Sequence, residues 1–245
     1  MPAVSGIPGL IYPDWDNTAS LTVLEPGIVH VWRANLEAQR AHADRLKAFL
    51  SSDELVRAGR FRFERDRLHY TVGRGLLRLL LGRYLGRSPG GLSFTYSLRA
   101  KPCLPSPETL AFNLSHSGGV ALYAFAHCSE LGIDVENDNP EVQQEEIARN
   151  FFTPEEGRFI FQGPSDNRSE RFFFLWSRKE AYVKARGEGL YLPLNEFDVA
   201  NRSTVDGFEL QSFLAWPHFS AALAVSPRPQ KILFFDLDSR QVSYS

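Results

Sequence analysis

Cysteine and methionine are nearly missing: two and one respectively in 245 residues. Cys103 and Cys128 form neither a CxxC pair nor a histidine-spaced set, which excludes a disulfide framework and a thiolate zinc site. Both thiols are expected as ordinary buried side chains in a reducing compartment. An excess of one charge sign is also lacking, with 27 Lys and Arg against 29 Asp and Glu and a formal net charge of −2. No global basic field draws the chain to nucleic acid or an anionic membrane, so any phosphate site has to be local. Long apolar runs are absent as well. None approaches a membrane span, and Met1 to Tyr12 has neither the basic start nor the continuous apolar stretch of a signal peptide. The expectation is a cytoplasmic, soluble protein.

What is present is enough for a sizeable core: 43% of residues are hydrophobic and 13% aromatic. The Pro-, Gly- and Asp-containing start reads as a loop or an edge segment. Ile28 to Trp32 is a β-branched and aromatic run, followed by a polar helical stretch through Leu50. Ser51-Ser52-Asp53-Glu54 has the pattern of a helix N-cap, and the basic, aromatic segment Arg57 to Tyr70 leads into a leucine-packed helix over Gly73 to Leu81. Phe94 to Tyr96, Leu110 to Leu114 and Val120 to Ala126 read as strands, with a turn at Gly118-Gly119. A similar order then returns: a strand over Leu131 to Val135, a capped helix start at Phe151 to Glu156, a long helix over Phe172 to Lys184, and strands at Phe197 to Val199 and Ala221 to Val225. Arg74 and Arg178, Phe94 and Phe197, and His116 and His218 are separated by 104, 103 and 102 positions. The pattern predicts two similar α+β halves, 1–128 and 129–245, with a ligand in the seam between them.

Chemistry concentrates in a few places. Along Leu131 to Glu136 the residues alternate, so Asp134 and Glu136 share one face of a strand. Adjacent carboxylates repel, which leaves a solvated strand edge or a hard cation such as Mg2+ as the two readings. In Trp176 to Lys184, Glu180 and Lys184 lie one helical turn apart on the face that also carries Trp176. They are either a solvated ion pair or two groups with separate partners; a third carboxylate beside Asp134 and Glu136 would favour a metal. Ser115-His116, after a strand and before a Gly-Gly turn, presents a hydroxyl, an imidazole and backbone N–H groups suited to an anion. Arg57, Arg74, Arg78 and Lys101 supply positive charge, Arg57 and Arg78 reading more as surface than as site. Glu156, early in a helix, is favoured there by the helix dipole whatever else it does.

Three blocks in order resemble the 4′-phosphopantetheinyl transferases: Phe112 to Gly118, Gly132 to Glu136, and Phe151-Phe152 through Glu156 to Trp176–Lys184, with Lys101-Pro102 also in place. The chain looks like the larger, single-chain, surfactin-synthetase-activating class of that family. The resemblance implies an α+β fold of two α/β subdomains related by a pseudo-twofold axis, with the cleft between them. It implies a monomeric holo-[acyl-carrier-protein] synthase type enzyme that moves the 4′-phosphopantetheine arm of coenzyme A to a serine of an apo acyl or peptidyl carrier protein. Adenosine 3′,5′-bisphosphate is released. By the same resemblance Asp134, Glu136 and Glu180 hold Mg2+, with Mn2+ as the alternative ion, and Glu156 helps deprotonate the serine. Lys184 contacts the phosphates and assists the leaving group, while Arg57, Arg74, Lys101, Ser115 and His116 hold the nucleotide end. One departure stands out: where the family often has a basic residue for the 3′-phosphate, this chain has His69, so either the histidine does that task or Arg74 and Arg57 have taken it over. A Mg2+-dependent phosphohydrolase or nuclease and a noncatalytic carrier-binding module are the competing readings. The absence of a basic stripe counts against the first, and the complete set of charged residues against the second.

Overall fold

The computed structural model describes residues 7–16, 23–98, 101–127, 130–138, 142–162, 165–189, 192–238 and 241–242. The run Val120–Ala126 has no polar face to show to water, and it forms a strand buried along its full length. Its alternation divides two cores. Ala121, Tyr123 and Phe125 face a helical core with Leu76, Leu77 and Leu80, while Val120, Leu122, Ala124 and Ala126 face a second layer with Ile133, Phe213 and Leu223. The strand lies in one of two sheets packed face to face, each covered outside by a long helix.

In chain order the elements are β1 (Leu10–Ile11), β2 (Ile28–Asn35), α1 (Ala43–Lys47), α2 (Ser52–Gly59), α3 (Glu64–Leu85), β3 (Thr95–Tyr96), β4 (Pro102–Cys103), β5 (Ala111–Ser117) and β6 (Val120–Ala126). They continue as β7 (Glu130–Asn137), α4 (Gln144–Phe151), α5 (Pro154–Phe161), α6 (Arg168–Arg186), β8 (Thr204–Val205), β9 (Phe208–Trp216), β10 (Phe219–Ser226) and β11 (Lys231–Asp236). One sheet runs β11-β2-β6-β5 and the other β1-β9-β10-β7, with β8 beside β9 and β3-β4 as a separate hairpin. Beyond the faces, α3 packs on the first sheet, and the aromatic-rich α6 packs on the second through Phe172, Phe174 and Tyr182.

Each sheet takes an edge strand from the opposite end of the chain. β1 lies parallel to β9 in the second sheet, and β11 lies parallel to β2 in the first. Where they cross, Arg33 is held between the rings of Trp15 and Trp216, 4.4 and 4.1 Å from their centroids, and pairs with Asp236 at 2.7 Å. The expected boundary at 128–129 lies outside the described residues, as do Cys128 and the Gly163-Pro164 part of the loop before α6.

The expected strand at Phe197 to Val199 is not one: a 3-10 turn, Leu194–Glu196, is followed by irregular chain. Its backbone groups bond side chains instead of a neighbouring strand. Val199 N–H donates to Glu156, Arg178 donates to Val199 O, and Lys179 donates to Phe197 O.

Candidate active site

The seam runs along β5 and β7, the facing edge strands of the two sheets. Asn113, Ser115 and Ser117 alternate toward β7: Asn113 Oδ1 accepts from Ile133 N at 2.8 Å, and the Ser115 and Ser117 hydroxyls donate to Asp134 Oδ1 at 2.9 Å and Glu136 Oε2 at 3.0 Å. Sequence reasoning singled out Ser115 and left out Asn113 and Ser117. Their spacing, two residues apart in a strand bearing small polar groups on one face, was the available signal. The turn beyond, Gly118-Gly119, has φ of 55° and 84°, so glycine reverses the chain there without strain.

α6 supplies the other wall. It approaches β7 closely at Gly132 and ends in the left-handed cap Gly187. Lys184 on this helix donates to Asp134 Oδ1 at 2.6 Å and to Ser115 Oγ at 3.0 Å. Lys184 and Glu180 therefore do not form the solvated pair considered from the sequence; the ammonium reaches across to β7.

Asp134 is 2% exposed, and its second oxygen, Oδ2, is buried without a hydrogen-bond partner. Burial pushes its carboxyl above the usual range, against the pull of Lys184 and Ser115. Glu136 is pushed up to about 7 by burial and by the charge of Asp134, and Glu180 is raised by the same two causes in the same order. Asp134 acts on both glutamates and Glu180 acts on Glu136, with Lys184 as the cation that acts on all three. Among the described residues no three His, Cys, Asp or Glu are gathered tightly enough to form a ready-made metal cluster. The donor set nevertheless suits a hard cation: all three are oxygen ligands, and a buried carboxylate oxygen lacking a partner is what a bound cation would satisfy.

His116 follows Ser115 on β5 and is exposed. The surrounding walls desolvate its ring, and the charges of Lys184, His69 and Arg57 act in the same direction, so its pKa lies below the ordinary value. Arg57 is exposed, with its guanidinium 5.4 Å from the Tyr70 ring centroid, and it lines an open surface cavity of about 810 Å3 with Asp53, Val56 and Arg60. His69 Nε2 lies 2.8 Å from Glu37 Oε1.

Three expected site residues have other work. Lys101 Nζ donates to Leu131 O at 2.9 Å and Lys184 O at 2.7 Å, so its charge sits on the carbonyl end of α6. Arg74 is 8% exposed, pairs through Nε with Glu54 and covers Phe94 at 4.6 Å. Glu156 is fully buried: Oε2 accepts from Thr153 N at 2.9 Å and lies 2.8 Å from Lys179 Nζ, and Oε1 accepts from Val199 N at 2.8 Å. Every contact given for that carboxylate points into the protein, whereas the resemblance has it meet the incoming serine. Trp176, left outside the site, stacks on Phe172 at 6.2 Å and packs edge-on to Phe151 and Phe152.

At the β5–β7–α6 seam, Asp134, Glu136 and Glu180 interact electrostatically with one another and with Lys184, beside Ser115 and His116 of β5. Comparison with known proteins gives the family. Residues 130–226 match the 4′-phosphopantetheinyl transferase superfamily, and residues 34–128 match the 4′-phosphopantetheinyl transferase N-terminal family. The chain is 41% identical over 191 residues to the 4′-phosphopantetheinyl transferase HetI of Nostoc sp. (strain PCC 7120), covering 77% of this chain and 80% of that protein. It is 32% identical over 156 residues to the 4′-phosphopantetheinyl transferase Sfp of Bacillus subtilis (strain 168), covering 64% and 68%. Against psf-1 of Bacillus pumilus the identity is 31%, over 76% of both chains. The chain belongs to the 4′-phosphopantetheinyl transferase family, and its reaction is the transfer of phosphopantetheine from coenzyme A to a carrier protein.

Proposed function

We propose that this transfer takes place in the β5–β7–α6 cleft, with Asp134, Glu136 and Glu180 as ligands of Mg2+ and Lys184 as the phosphate contact. The observation that carries the reading is Asp134. One oxygen is held by Lys184 and Ser115, while the other is buried without a partner. Mg2+ bound there supplies charge neutralisation on the pyrophosphate oxygens.

The residues of the chain supply the rest. Ser115 and Lys184 hold Asp134 in one orientation, and the lysine, 29% exposed at its side chain, is within reach of a phosphate entering the cleft. In transfer, the serine oxygen of the carrier bonds to the pantetheine-side phosphorus and the bond to the bridging pyrophosphate oxygen breaks. Adenosine 3′,5′-bisphosphate leaves with that oxygen, on which Lys184 stabilises developing charge. The serine proton passes to water of the cleft; Glu156, fully buried, has no opening toward it. His116 and Arg57 stand at the nucleotide end, Arg57 as the cation for the 3′-phosphate. Both walls come from one chain, which fits a monomer. Among the described residues no helix is long and apolar enough to cross a membrane.

Incubation with coenzyme A, Mg2+ and a panel of apo carriers tests the reading. A carrier is expected to gain the mass of one phosphopantetheinyl group, and EDTA to stop the gain. No gain with any carrier, together with hydrolysis of a simple phosphodiester, would replace it with the hydrolase reading.

A further inference from the structure

The chain builds one buried device twice. In the second half, Thr153 and Glu156 form a capping box at the start of α5, and Glu156 pairs with Lys179 of α6. Lys179 also donates to Leu194 O at 2.6 Å and Phe197 O at 2.7 Å, and lies 4.3 Å from the Phe197 ring centroid. In the first half, Ser51 and Glu54 form a capping box at the start of α2, and Glu54 Oε2 lies 2.6 Å from Arg78 Nε of α3. Arg78 also donates to Pro89 O at 3.2 Å and Leu92 O at 2.8 Å, and lies 4.9 Å from the Phe94 ring centroid. Cap, glutamate, cation, both carbonyls and ring recur in the same chain order, 101 to 105 positions apart. Both glutamates are sealed, Glu54 at 2% exposure and Glu156 at 0%.

The first copy is an internal control. Glu54 and Arg78 have none of the candidate metal ligands beside them, and the residue after Arg78 is the core residue Leu79. There it clamps α2, which carries Arg57, and the chain following α3 onto α3, with Arg74 as a second cation on Glu54. In the second copy the residue after the cation is Glu180. We infer that Glu156 and Lys179 are positioning residues that fix the rotation of α6, and so set Glu180 and Lys184 in the cleft, and that Glu156 takes no proton from the carrier serine. This inference rests on the transferase reading only for what Glu180 and Lys184 do; the buttress itself can be tested without turnover.

The variants are Glu156→Gln, Lys179→Met, the apolar pair Glu156→Leu with Lys179→Met, and Glu54→Gln. Each is examined by thermal melting and by transfer to an apo carrier across pH. For Glu156→Gln a melting temperature lower by about 5 °C or more is expected, because the buried ammonium loses its counter-charge. Its kcat profile keeps the ascending limb. Lys179→Met loses kcat along with stability, and the apolar pair regains most of both, since two matched apolar groups leave no buried charge alone. Glu54→Gln repeats the melting loss with kcat per folded molecule unchanged at saturating coenzyme A, any movement of Arg57 on α2 appearing in KM for coenzyme A alone. The opposite result overturns the inference: Glu156→Gln melting like the wild type, kcat falling by about 10²- to 10⁴-fold with the ascending limb gone, and no rescue in the pair, which is the signature of a lost general base. If no carrier accepts the arm, the transferase reading fails by itself, while paired melting losses still support the buttress and their absence still removes it.

Discussion

Gly132 of β7 touches the backbone of α6 so closely that a β-carbon on it would stand 2.1 Å from the Ala181 carbonyl oxygen and 2.3 Å from the Ala185 amide nitrogen. The same contact sets the distance between the strand carrying Asp134 and Glu136 and the helix carrying Glu180 and Lys184. Gly132→Ala is therefore expected to cost at least about 1–3 kcal/mol in stability, as overpacking does, and to reduce transfer by the molecules that remain folded. Melting curves and a carrier mass assay check this. A variant matching wild type in both would show that the strand and helix can part without consequence.

Asp134→Asn removes the buried charge at the centre of the cleft. Transfer should fall by about 10²-fold or more, in line with the loss of one preorganised electrostatic group. Stability should hold or rise, because Glu136 and Glu180 lose the charge that raises their pKa values. Melting with and without added Mg2+ gives the second readout: the wild type is expected to respond to the ion and the variant is not. Wild-type turnover in Asp134→Asn would remove the metal assignment.

Lys101 separates two roles by experiment. As a cap on the carbonyl end of α6, its replacement in Lys101→Met should lower stability by about 1.5–3 kcal/mol, the range for hydrogen bonds to charged groups, and leave coenzyme A affinity close to wild type. A nucleotide contact would give the reverse, with weaker binding that depends strongly on salt. Calorimetric titration with coenzyme A at two salt concentrations distinguishes them.

His30 supplies a pH signature away from the cleft. It is 1% exposed, Nδ1 lies 2.8 Å from the Tyr84 hydroxyl oxygen, Nε2 has no partner, and burial lowers its pKa to about 4. A base with a lowered folded pKa binds fewer protons folded than unfolded, so its contribution is present above about 6.5 and is lost as pH falls toward 4. Complete loss amounts to about 3 kcal/mol. Glu136 and Asp138, raised to about 7 and 6, work in the opposite direction over part of this window, so the informative quantity is a difference. Wild type minus His30→Phe, followed by denaturant unfolding from pH 7.5 to 4, should show stability declining on the acid side. A flat difference would mean that the ring is not buried neutral.

The long elements were legible because their periodicity reflects burial. Val120 to Ala126 forms the strand its composition predicts, and the aromatic positions of α6 give both the helix and the face it buries. Asp134 and Glu180 stand out as residues that no apolar core needs at those positions. What stayed hidden depends on distant partners. Lys101 is an unremarkable lysine until the end of α6, more than eighty residues later, is placed against it. Glu156 has the same local pattern whether its carboxylate faces solvent, substrate or Lys179. Phe197 to Val199 has strand-like residues, and only the side chains of Glu156, Arg178 and Lys179 draw its backbone away from a ladder.

The crossed edge strands affect how such a chain is made. The sheet that contains most of the first half is completed by β11, whose last paired residue is Asp236. During synthesis that sheet stays one strand short, with the edge of β2 open, until residue 236 has cleared the ribosome. Meanwhile β1 waits for β9. The enzyme is therefore expected to reach its native state after translation rather than half by half. A ribosome stalled just before residue 231 would hold a chain that exposes β2 to chaperones and to other nascent chains.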